Sequence, residues 1–72
     1  MRDMILNALL AKYDGDIQMA KANVEIFLEN AVGVGEHNDV IQTIDLEIAK
    51  IATAEDNIAV LHKYLKVSAP RI

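Results

Sequence analysis

An unbroken repeat of apolar side chains, spaced 4-3-4-3, runs from Leu6 through Leu10, Tyr13, Ile17, Ala20, Val24 and Phe27 to Ala31. After a break containing two glycines, Ile41, Ile44, Ile48 and Ile51 resume it at 3-4-3. Residues at that period share one face of an α-helix, and a mean spacing of 3.5 is the seam of a left-handed supercoil. Two helices bearing such stripes must hide them against each other. The pattern therefore predicts an all-α fold: an antiparallel, coiled-coil-like two-helix hairpin, completed by self-association into a four-helix bundle.

The 72 residues are read as a single domain, 1–72, with helix 1 over Asp3–Glu29, a loop over Asn30–His37, helix 2 over Asn38–Lys66 and a tail over Val67–Ile72. Asn30 tolerates the left-handed conformation that follows many helix ends, and Gly33 and Gly35 let the chain reverse. Asn38 or His37 can cap helix 2, with Asp39 favoured by the positive end of its dipole. Pro70 stops any helical continuation. The weak point of helix 1 is Asp14-Gly15-Asp16, where glycine in a helix interior costs about 1 kcal/mol relative to alanine. Because the stripe stays in phase from Tyr13 to Ile17, a continuous helix with a soft spot is expected, and a break into three helices is the alternative. The same triplet resembles the start of a calcium loop but lacks the later ligands, including the closing glutamate.

Doubling the chain back about residue 34 sets Phe27 opposite Ile41, Val24 opposite Ile44, Ala20 opposite Ile48, Ile17 opposite Ile51 and Leu10 opposite Ile58. Strict continuation of the second stripe would bury Glu55. The expected remedy is a one-residue phase slip to Ala54, Ile58, Leu61 and Leu65, with the Tyr13 phenol filling the space at the slip and its hydroxyl reaching Glu55 or water. The alternative leaves Glu55 pointing outward and Tyr13 in ordinary packing.

A second apolar set lies off both seams. Ile5, Leu9, Met19, Ile26, Leu46 and Val60 are the residues expected to make contacts with a partner, either a second copy or a larger protein. A hairpin of this size has too little core to be more than marginally stable alone, which is a further reason to expect cover.

Composition removes several function classes. The chain has no cysteine, hence no disulfide framework and no thiolate metal site. Its longest apolar runs are four residues, such as Ala8–Ala11, so no membrane span is expected. With Asp3 so early and no continuous apolar stretch behind it, no cleaved signal peptide is expected either, and the location is read as cytoplasmic. Gly33-Val34-Gly35 has neither a preceding strand nor the lysine of a phosphate loop. Glu36, His37 and Asp39, with His62 far along helix 2, do not converge as a metal set must. Two histidines among many acids catalyse nothing without a pocket, so no enzymatic activity and no cofactor are expected.

Charge is lopsided. Residues 19–51 carry six acidic side chains against two lysines, which is the entire formal net charge of −4. The loop end should therefore repel phosphate backbones. Any nucleic-acid contact would fall to Lys63, Lys66 and Arg71, with Arg2 and Lys12, at the open end. Ordinary solvated helix faces with ion pairs such as Glu47 with Lys50 are the simpler reading.

The segment Phe27-Leu28-Glu29-Asn30-Ala31-Val32-Gly33-Val34-Gly35-Glu36-His37-Asn38-Asp39 resembles the central loop of small helical-hairpin proteins of T4-like tailed phages, encoded near the phage recombination helicase. The Ala54-Glu55-Asp56-Asn57-Ile58 stretch extends the likeness into helix 2. The resemblance implies an accessory role beside recombination or replication machinery in the host cytoplasm. It marks the loop residues Gly33, Gly35, Glu36 and His37 as the distinctive surface and supplies no catalytic residue.

Overall fold

A computed structural model of the chain describes residues 1–30 and 37–67, except for the side chains of His37 and Asn38. The loop surface expected at Gly33, Gly35, Glu36 and the His37 side chain lies outside the described residues, as does Arg71. Among the described residues the chain forms two helices of 29 residues each, α1 (Arg2–Asn30) and α2 (His37–Leu65). They pack along their full length as the expected hairpin.

The molecule measures 51 × 17 × 17 Å, with a radius of gyration of 15.5 Å. A compact chain of this length would have a radius near 11 Å. The hairpin is thus a rod with one shared layer of side chains. Neither helix is long and apolar enough to cross a membrane.

In α1 the seam is the one the sequence predicts. Leu6 and Ala20 are buried, and Leu10, Tyr13, Ile17, Val24 and Phe27 are half-buried along it. The helix continues through Gly15, which sits opposite the seam where an added Cβ would meet nothing. Gly15→Ala should therefore add about 1 kcal/mol and raise Tm by about 4–8 °C in thermal unfolding followed by circular dichroism. An unchanged or lower Tm would mean that the glycine serves some other need.

The phase of α2 differs from expectation. Its seam is Val40, Ile44, Glu47, Ile51, Ala54, Ile58 and Leu61, an unbroken 4-3-4-3-4-3 repeat. Ile41 and Ile48, expected inside, are 63% and 51% exposed, while Glu47 is only 7% exposed. The pairings of Phe27 with Ile41 and of Ala20 with Ile48 therefore do not lie within the buried seam. The reason is mechanical. The expected slip sets two three-residue steps in succession at Ile48, Ile51 and Ala54, and such a step overwinds a coiled coil. Carrying the phase of Ala54, Ile58 and Leu61 back to Val40 removes the slip at the expense of one carboxylate in the seam. Glu55 points outward, Tyr13 is half-buried, and no hydrogen bond joins them among the described residues. The Lys12 ammonium lies 5.7 Å from the centroid of the Tyr13 ring instead.

The open end is closed by main-chain contacts. Arg2 Nη2 donates to the Leu65 carbonyl at 2.6 Å, placing a cation from the first turn of α1 on the negative end of α2. Lys66 then adopts a left-handed φ of 59°, which ends the helix. The Val67 N–H donates to the Leu61 carbonyl at 3.4 Å, and His62 Nδ1 lies 2.7 Å from the Val67 carbonyl.

Candidate interaction surface

Antiparallel supercoiling decides which residues can share a surface. The positions flanking the seam on one side of α1 face those on the corresponding side of α2, and residues seven apart lie on one line down the rod. Ile5, Met19 and Ile26 occupy one such line on α1, with Lys12 as its remaining member. Leu46 and Val60 occupy the equivalent line on α2, with Thr53 between them. Leu9 belongs to the adjoining line that carries Asp16 and Asn23. All six residues expected to make partner contacts therefore fall on one broad side of the hairpin. Ile5, Met19, Ile26, Leu46 and Val60 are exposed there, and Leu9 is half-buried.

A groove of about 650 Å3 runs down the middle of that side, with Met19 and Leu46 on its opposite walls. Ala20 and Ala54 form its floor; among the described residues they are the most tightly covered, at 2% and 3% exposure. Small side chains at those two points leave a trough that larger ones would fill. The apolar side chains group at its two ends. Ile5, Leu9 and Val60 lie toward the open end, and Met19, Ile26 and Leu46 lie toward the loop. Between them the surface is polar and includes the Lys12–Asp16 ion pair at 3.0 Å.

Glu47 anchors one wall. Its carboxylate accepts from Lys50 Nζ at 3.0 Å and from Asn23 Nδ2 across the hairpin at 3.2 Å. The hydrogen bond from Lys50 lowers its pKa below the ordinary carboxylate value of 4.5, the bond from Asn23 adds to this, and partial desolvation opposes both. Desolvation loses because the side chain, though covered by its neighbours, sits in a layer only two helices thick. A depressed folded-state pKa contributes stability above the unfolded value, and that contribution is lost as pH falls through the folded one. Glu47→Gln keeps the size and removes the titration. The melting temperature of the unsubstituted chain should fall more steeply than that of Glu47→Gln between about pH 6 and pH 3. Parallel profiles would show that the carboxylate carries none of the acid sensitivity.

The sequence pattern placed Leu28 off the seam but missed the two isoleucines that make a second patch with it. Ile41, Ile48 and Leu28 are exposed on the opposite flank because the true phase of α2 turns the two isoleucines out of the seam. Reading the 4-3 repeat backwards from Leu61 would have found them. Ile48 lines a shallower groove there with Lys21 and Glu25.

At the open end Lys63 and Lys66 are exposed. The Lys63 ammonium lies 5.2 Å from the centroid of the Tyr64 ring. Arg2 is engaged with Leu65 and lies 3.7 Å from Asp3, and Lys12 is paired with Asp16. Two of the basic side chains suggested for nucleic acid thus have acidic neighbours. No protein-family model, curated protein or solved structure matches the chain.

Proposed function

We propose that the protein is a non-enzymatic interaction module that binds a second copy of itself through the side bearing Ile5, Leu9, Met19, Ile26, Leu46 and Val60. The observation that carries this reading is the amount of unpartnered surface. The accessible area is 5496 Å2, whereas a compact monomer of 7.9 kDa would have about 4,400 Å2. The excess is of the order that one partner buries in a standard interface, about 800 Å2. Isolated exposed aliphatics are ordinary, but two clusters of them on one side of the rod, with a groove between the helices on that side, support reading it as a docking surface. Sedimentation velocity over a concentration series should show a shift toward twice the monomer mass. A monodisperse monomer at high micromolar concentration would overturn self-association.

The likeness of residues 27–39 to the phage hairpin proteins supports an accessory role for this module beside recombination or replication machinery. Nucleic-acid contact through Lys63 and Lys66 is the weaker reading, since the acidic loop half opposes it. Salt-sensitive oligonucleotide binding, abolished by Lys63→Glu with Lys66→Glu, would be required to revive it.

A further inference from the structure

We infer that two hairpins pair head to tail, each loop end lying over the partner's open end, about a two-fold axis near Lys12 and Asp16. The inference rests on the proposed self-association and adds its geometry.

Three observations select this arrangement. First, the contact side has two apolar groups of matched size separated by a polar waist. Ile5, Leu9 and Val60 form one, and Met19, Ile26 and Leu46 form the other. A two-fold axis through the waist lays each group on the other group of the partner, which is the self-complementarity an isologous interface needs. Second, the waist itself is self-complementary. Lys12 and Asp16 lie four residues apart and 3.0 Å from each other in the hairpin. Rotation about an axis midway along them brings the partner's lysine beside this asparate's carboxylate, and the reverse, so the pairs can be shared across the axis. Third, the charge distribution opposes the alternative. Pairing with loop ends together would stack two segments that each hold the full net charge of −4 between residues 19 and 51. Pairing head to tail places each acidic half against a half whose formal charge sums to zero.

The chain has no cysteine, so a spin label can be placed at one site. Gln42 is exposed on the outer surface of α2 near the loop and lies off the contact side. In a dimer of Gln42→Cys carrying a nitroxide, the two labels should be separated by roughly 35–45 Å, from 1.5 Å of helix rise per residue on either side of the axis. Ala8→Cys, exposed near the open end, serves as the second site and should give a shorter separation than Gln42→Cys. A Gln42 separation under about 25 Å would place the loops together and overturn the head-to-tail geometry while leaving self-association intact. Absence of any intermolecular coupling at the concentrations used for sedimentation would overturn both.

Discussion

Leu61→Ala should destabilise the hairpin by about 3 kcal/mol and leave much of the chain unfolded at room temperature. Leu61 is 4% exposed and is the most covered large side chain of α2. Truncating it removes apolar contacts from a layer with no second layer behind it to collapse into the space. Helical rods of this size rarely hold more than about 3–5 kcal/mol in total, so the loss approaches the whole. The informative comparison is Ile48→Ala. With Ile48 on the flank, as the structure has it, that change should cost under about 1 kcal/mol, since alanine is the better helix former. Chemical denaturation of both variants measures the phase of α2 directly: equal losses would put Ile48 back in the seam.

The second large effect is on association. Met19→Glu combined with Leu46→Glu puts two carboxylates on the walls of the groove without touching its floor. Glutamate matches methionine and leucine closely in helix propensity, so the hairpin should keep its helical content. Burying two unpaired carboxylates against apolar side chains should weaken the dimer at least about a hundredfold, close to 3 kcal/mol. Sedimentation should then show monomer at concentrations where the proposed dimer of the unsubstituted chain forms, with unchanged circular dichroism at matched monomer concentration. Undiminished association would mean that the contact lies elsewhere, the flank with Ile41 and Ile48 being the obvious place.

Much of the fold was legible because it is one-dimensional. Seven seam positions of α1, the continuity of the helix through Gly15 and the reversal between the helices follow from periodicity and turn chemistry alone. The phase of α2 did not, and Glu47 is the reason. A pattern that scores each residue by its own polarity keeps Glu47 outside and accepts a slip at Glu55. Whether a carboxylate can sit in the seam depends on what meets it. Here Asn23, 24 residues away in the chain, and Lys50, one turn further along, supply the donors. Nor could periodicity say that Ala20 and Ala54 would be the most covered residues while Phe27 stayed half-buried, because that reflects how closely the helix axes approach. The contact side was legible in part: the six residues stood out as apolar and off the seam, but their falling on one side of the hairpin required the antiparallel register. Arg2 closing on the Leu65 carbonyl left no trace in the pattern.

The three methionines offer the most direct test that this one side of the hairpin is where a second copy binds. Met19 lies on the groove wall, whereas Met4 is exposed on the other flank and Met1 is at the chain end. Methyl resonances followed through a dilution series should show the Met19 ε-methyl moving with concentration while that of Met4 stays in place. A Met19 signal that does not move, or a Met4 signal that moves in its stead, would contradict the assignment of this surface.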